Sequence, residues 1–75
     1  TDRLKYYIVR ANYNIVNGKL EYGITDCKKA LNIDASNIEA REKLARLYKI
    51  TNKPLKAIDE FSKIIEIDEN QITAY

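Results

Sequence analysis

Seventy-five residues, 45% hydrophobic and 32% charged with a formal net charge of +2, make one small domain and give no electrostatic case for nucleic acid or an acidic membrane. There is no histidine, so the commonest general base and metal ligand is missing, and a single cysteine, Cys27, cannot close an internal disulfide. No apolar run approaches the roughly 18 residues that span a bilayer.

The elements follow in chain order. Leu4, Tyr7, Ile8, Ala11 and Ile15 recur at three- and four-residue steps, which is one face of a first helix. Asn17-Gly18 ends it, because glycine accepts the positive φ that a helix terminus asks for. Leu20, Ile24, Cys27 and Leu31 form the stripe of a second helix. Asp34-Ala-Ser-Asn37 interrupts, and Ser36 followed by Glu39 has the spacing of a capping box opening a third helix. Its stripe is Ala40, Leu44, Leu47 and Tyr48. Thr51-Asn-Lys-Pro54 breaks the pattern again, with Pro54 suited to a first helical turn. Leu55, Ile58, Phe61 and Ile65 give a fourth stripe; Asp68-Glu69-Asn70 is expected to end that helix and Gln71–Tyr75 to begin a fifth. No segment alternates strictly, so strands are not expected.

The chain repeats itself. An offset of 34 positions aligns Ala11 with Ala45, Lys19 with Lys53, Ile24 with Ile58 and Lys29 with Lys63. The same offset aligns Ile33 with Ile67, Asp34 with Asp68, Ile38 with Ile72 and Ala40 with Ala74, and sets Asp26 against Glu60. Helix, turn, helix and turn recur in the same frame, and short turns force neighbouring helices to pack antiparallel. One hairpin cannot bury its stripe alone, so successive hairpins must stack. The expected fold is all-α: repeat one over about 4–37, repeat two over about 38–71, and the start of a third helix pair over 72–75.

On these residues the chain resembles the tetratricopeptide-repeat family. In the second repeat, Leu44-Ala45, Tyr48, Ala57, Phe61 and Ile64 fall where that family places Leu-Gly, Tyr, Ala, Phe and Ala, while Glu69 replaces its late proline. In the first, Tyr7, Ala11, Gly18, Gly23, Cys27, Ala30 and Ala35 keep the frame, but Arg10 stands for the usual Leu and Asn14 for the usual Tyr. Tyr75 falls at the large aromatic of a third repeat. Arg10-Ala11 with Asp26-Cys27-Lys-Lys-Ala30-Leu31 is similar to repeats of chaperone-associated members. The resemblance implies an α-solenoid of stacked hairpins. Small residues at 11, 23, 30, 45 and 57 would let helices approach closely, and bulky ones would fill the gaps.

It also implies a function: the first helix of each hairpin lines a concave groove that holds a peptide or helix of another protein. The groove positions would be Lys5, Ile8, Val9, Asn12 and Val16 in repeat one, and Glu39, Glu42, Lys43, Arg46, Lys49 and Ile50 in repeat two. Lys43, Arg46 and Lys49 share one surface, so three cations could meet a peptide carboxylate, although Glu39 and Glu42 could equally pair with them and leave a solvated face. The chaperone-binding members' two-carboxylate clamp is not complete here. In one register Ile8 and Lys43 stand where Lys and Asn are required; in the other Val9 and Glu39 stand where Asn and Lys are required.

The expected function is therefore a protein-interaction module, an adaptor, scaffold or co-chaperone fragment, with an acidic or chaperone-derived peptide among the candidate partners. No catalysis, cofactor, metal, nucleic acid or membrane is expected: the acidic residues look scattered over helix ends and outer faces, with no evident pair. The alternative is a structural spacer that self-associates through exposed repeat ends; RNA binding by a helical repeat is a remote third reading. Cys27 lies in the apolar stripe and reads as a small core residue, not a reactive thiol. Tyr7, Tyr48 and Tyr75 take core positions, which leaves Tyr6, Tyr13 and Tyr22 without an assignment. A start at Thr1 reads as a fragment of something longer, no leader peptide is visible, and a lone thiol fits a reducing compartment such as the cytoplasm.

Overall fold

The computed structural model describes the backbone of residues 2–73 and the side chains of residues 2–69. Four helices run α1 (Asp2–Val16), α2 (Leu20–Ile33), α3 (Ile38–Ile50) and α4 (Pro54–Thr73), with no strand among the described residues. They pair as two hairpins, α1 with α2 and α3 with α4, and the hairpins meet where α2 packs on α3. The body measures 40 × 31 × 16 Å. The all-α hairpin repeat read from the sequence is the fold observed.

The two hairpins turn by the same device, one repeat period apart. After α1, Lys19 N–H donates to the Asn14 carbonyl (2.8 Å) and Gly18 N–H to the Ile15 carbonyl (3.1 Å). After α3, Lys53 N–H donates to the Tyr48 carbonyl (2.7 Å) and Asn52 N–H to the Lys49 carbonyl (3.3 Å). Both are Schellman closures, which need a left-handed residue next to the helix end. Gly18 supplies it at φ 76° and Asn52 at φ 63°. Asparagine is the side chain that best tolerates this region after glycine. Pro54 then occupies the first position of α4, as expected.

Two boundaries differ from the sequence reading. The cap of α3 is Asn37, whose side chain accepts the Ala40 N–H at 2.9 Å, and not Ser36. Ser36 N–H instead donates to Asp34 Oδ1 at 3.2 Å, inside the loop. In addition, α4 continues through Asp68–Asn70 as far as Thr73, so no new helix begins at Gln71. The offset accounts for this: Glu69 and Gln71 stand where Ala35 and Asn37 end one helix and cap the next. Both are good helix formers, and glutamine is a poor cap beside asparagine. The rest of the expected third helix pair, Ala74 and Tyr75, lies outside the described residues.

The core lies at the junction of the hairpins. Ala11, Ile24, Cys27, Leu44, Leu47, Tyr48 and Ala57 form one buried cluster, with Ile15, Leu20 and Leu31 packed against it. The small residues work as expected: Ala11, Gly23, Ala30, Ala45 and Ala57 are all buried. A methyl added at Gly23 would come within 3.2 Å of Ile15 Cγ1 and 3.3 Å of Leu47 Cδ1, so α1 and α3 both lean on that point of α2. The fourth stripe departs from expectation. Leu55, Ile58, Phe61 and Ile65 are all exposed, and α4 turns Ala57 and Glu60 inward instead. These four residues look away from α3, and no further helix covers them among the described residues.

Candidate functional site

Two adjoining depressions follow α1 and α3. The first, about 370 Å³, is lined by Leu4, Lys5, Ile8, Val9 and Asn12 of α1 and by Glu39 at the start of α3. The second, about 180 Å³, is lined by Asn12, Ile15, Lys43, Arg46, Leu47 and Ile50. Asn12 borders both, so the two adjoin there as a channel along α1 and α3, and the core residue Leu47 lines the second. Of the groove positions expected from the sequence, Lys5, Ile8, Val9, Asn12, Glu39, Lys43, Arg46 and Ile50 line this channel. Lys49 is exposed and lines neither depression; Val16 and Glu42 are likewise exposed outside them.

The channel has two chemically different ends. Around Leu4, Ile8 and Val9 it is apolar. Around Lys43 and Arg46 it is cationic. Lys43 Nζ lies 3.5 Å from Glu39 Oε2, an i,i+4 pair of the kind that is worth little when exposed. Arg46 has no ion-pair partner among the described residues, although Glu42 is four positions before it. Lys43 is mostly covered, and its charge is felt by Cys27 behind it. Burial pushes the Cys27 thiol up to about 11, with Asp26 adding to the rise and Lys43 opposing it. The thiol is therefore a protonated core group at neutral pH, and thiolate chemistry has no footing there.

The sequence reading missed a buried polar network. Asp26, 1% exposed, accepts at Oδ1 from Arg10 Nε (3.0 Å) and Arg10 Nη2 (2.7 Å), and at Oδ2 from Asn14 Nδ2 (2.7 Å). The hydrogen bonds to Asp26 first, then that to Tyr6, hold the Arg10 guanidinium still more firmly protonated. Glu60, 7% exposed, accepts from Arg41 Nη1 at 2.7 Å, and Lys63 lies 3.8 Å from its other oxygen. These acids are not scattered over outer faces; each sits inside its hairpin, fully partnered. The signal was present in the sequence: Arg10 and Asn14 depart from the repeat pattern together, on one helix face, opposite Asp26.

That network closes one side of a third depression, about 620 Å³, reaching Lys19, Tyr22 and Lys29 on the outer side of α1 and α2. Tyr6 and Tyr7 stack edge to face at 5.4 Å, and Arg10 lies over both rings. Tyr6 thus belongs to the arginine network, while Tyr13 and Tyr22 stay exposed. Among the described residues no group of three or more acidic or cysteine side chains could hold a metal, and no helix is long and apolar enough to cross a membrane.

Comparison with known proteins adds one relationship. Over 62 residues the chain is 32% identical to sperm-associated antigen 1 of Mus musculus and 34% identical to the same protein of Rattus norvegicus. The aligned stretch covers 83% of this chain but 7% of each relative, so the likeness is to a short part of much larger proteins. No family model and no solved structure matches the chain.

Proposed function

We propose that this chain is a tetratricopeptide-type protein-interaction segment, an adaptor or scaffold element, that holds a peptide of another protein along α1 and α3 and catalyses nothing. The observation that carries the reading is the pair of depressions that adjoin at Asn12, one lined in part by Leu4, Ile8 and Val9 and the other by Lys43 and Arg46. It is lined by the first helix of each hairpin, and the second helices lie behind it. A peptide with an apolar side chain and a carboxylate fits both ends. Burying the apolar residue supplies affinity, and the charge contact fixes direction. The 34-residue hairpin period and the small-residue contacts at Ala11, Gly23, Ala45 and Ala57 support the family reading.

The test is direct binding of fluorescent peptides that carry a hydrophobic residue near an acidic one, read by anisotropy. Lys43→Glu with Arg46→Glu should abolish binding of the acidic peptides while circular dichroism stays unchanged. If the double variant binds them as the parent does, the groove assignment is wrong.

A further inference from the structure

The turns after α1 and α3 share one further device. The last carbonyls of a helix need donors from outside its own ladder. Asn17 Nδ2 donates to the Tyr13 carbonyl at 2.7 Å, and one period later Thr51 Oγ1 donates to the Leu47 carbonyl at 2.7 Å. Asn17 and Thr51 are repeat-equivalent, and so are Tyr13 and Leu47. The two donors differ in one chemical respect. A threonine hydroxyl is inert in this position, whereas a side-chain amide followed by glycine is open to attack by the next backbone nitrogen. Asn17-Gly18 is the one Asn-Gly pair in the sequence, and every other asparagine precedes a larger residue. Asn17 and Gly18 are both exposed, and the space beside the Gly18 α-carbon is open, so no neighbour crowds the reacting atoms.

We propose that Asn17 is a site of spontaneous deamidation, gated by opening of the turn between α1 and α2, and that the modification weakens the first hairpin. The Gly18 backbone nitrogen attacks Asn17 Cγ and forms a C–N bond. The Cγ–Nδ2 bond breaks, and the side-chain nitrogen leaves as ammonia carrying the Gly18 proton. Water then opens the cyclic imide at either carbonyl, which leaves aspartate or isoaspartate at position 17. The closed turn opposes the first step. Gly18 N–H donates to the Ile15 carbonyl at 3.1 Å while the Asn17 amide donates to Tyr13, so nucleophile and target are each committed to a different carbonyl. Lys19 N–H, at 2.8 Å from the Asn14 carbonyl, fastens the turn from its far side. The reaction therefore proceeds from the opened turn, at a rate set by local unfolding.

Either product serves the fold worse than asparagine. A carboxylate at position 17 offers no donor to the Tyr13 carbonyl and sets a negative charge against the negative end of α1. The last turn of α1 holds no basic residue to offset it. Isoaspartate also inserts a methylene into the main chain, which breaks the spacing of the Schellman closure. Repeat two, with Thr51 as its donor, is immune at the equivalent position.

The test is incubation of the full chain in warm, mildly alkaline buffer made with oxygen-18 water, folded and in guanidinium, followed by peptide mapping in a mass spectrometer. The amide-to-acid mass change, with one heavy oxygen, should appear at Asn17 before any other asparagine. It should appear roughly tenfold or more slowly in the folded chain, because the turn must open first. Asn17→Thr, which copies repeat two, should stop the reaction there and keep the melting temperature. Asn17→Asp, which copies the simpler product, should melt a few degrees lower. Three results would each overturn the proposal: an Asn17 that stays intact in guanidinium, an Asn17 that reacts as fast folded as unfolded, or an Asn17→Asp chain as stable as the parent.

Discussion

Asp26 and Glu60 stand one repeat period apart, and each is buried against an arginine from the other helix of its hairpin. The arginines are not repeat-equivalent. Arg10 corresponds to Leu44, and Arg41 corresponds to Tyr7. The two hairpins therefore keep the acid and satisfy it from different positions. In repeat one Arg10 and Asn14 displace the Leu and Tyr that repeat two uses at Leu44 and Tyr48. In repeat two Leu44 and Tyr48 fill the core, so the cation moves one turn along the helix to Arg41. A buried charge left without its partner is far more costly than an intact pair is helpful. Arg41→Met should destabilise the chain by about 3 kcal/mol in urea unfolding, because it strands Glu60 with the distant Lys63. Glu60→Gln should cost less, since a neutral amide still accepts from Arg41 and needs no counter-charge. Arg10→Met should likewise lower the melting temperature, leaving Asp26 to Asn14 alone.

Replacing the cap of α3 gives a sharper test of local structure. Asn37→Ala removes the acceptor for the Ala40 N–H and should cost about 1 kcal/mol. Ser36→Ala should change stability by no more than about 0.5 kcal/mol, as surface substitutions do, because the Ser36 hydroxyl makes no hydrogen bond to a described residue. Equal losses for the two would restore the capping-box assignment.

Gly18 and Asn52 occupy the same left-handed position in the two hairpins. Gly18→Ala should cost roughly 1–2 kcal/mol from backbone strain alone, since no atom lies within 4 Å of a methyl placed there. Gly18→Asn should cost less than Gly18→Ala, because repeat two already uses Asn. Asn52→Gly should leave stability nearly unchanged, while Asn52→Ala should lose about as much as Gly18→Ala. Thermal unfolding of the four variants ranks them, and a Gly18→Ala chain as stable as the parent would rule out the Schellman closure.

What the sequence made legible is what has a period. The four helices, the two turns and the core pair Ile24 and Leu47 follow from spacing, while the small residues Ala11, Gly23 and Ala57 were picked out by the resemblance to the repeat family. The fourth stripe shows where that reasoning stops. Periodicity reports which residues share a face but not whether anything covers it, so Leu55, Ile58, Phe61 and Ile65 look the same in sequence as Ile24, Cys27 and Leu31. Burial of Asp26 and Glu60 was hidden for the opposite reason, because charged residues read as surface until their partners are placed in space. The depressions along α1 and α3 depend on helix phase: Lys5, Ile8 and Asn12 line the first and Asn12 and Lys43 the second, while Lys49 lines neither.

The buried thiol gives the chain an alkaline limit. Cys27 is 1% exposed, and its pKa is pushed up from the ordinary 9.0 to about 11. Below about pH 9 the thiol is protonated in both folded and unfolded chains, and its contribution is complete. Above that the unfolded chain releases the proton while the folded chain keeps it. Stability then falls, by at most about 1.4 kcal/mol per pH unit, until the folded thiol itself ionises near pH 11. The reference is Cys27→Ala, which removes the thiol alone. The stability difference between parent and variant should shrink steadily from pH 8.5 to 10.5. A difference independent of pH would place the thiol in contact with water.

The two ends of the channel should fail in different ways. Val9 is 60% exposed in the free chain, so Val9→Glu is expected to leave the fold intact. It should weaken an apolar-acidic peptide by removing buried area and by setting a like charge in its path, and the loss should be largest at low salt. Arg46→Ala leaves the apolar end untouched. It should remove one charge contact, reducing affinity by roughly 0.5–1 kcal/mol and flattening the salt dependence, as expected for a partly exposed pair. Ile8→Ala should weaken acidic and neutral peptides alike, since its contact carries no charge. Titrations at two ionic strengths separate these outcomes. Val9→Glu and Arg46→Ala variants with the same salt slope as the parent would mean that the peptide does not run along α1 and α3.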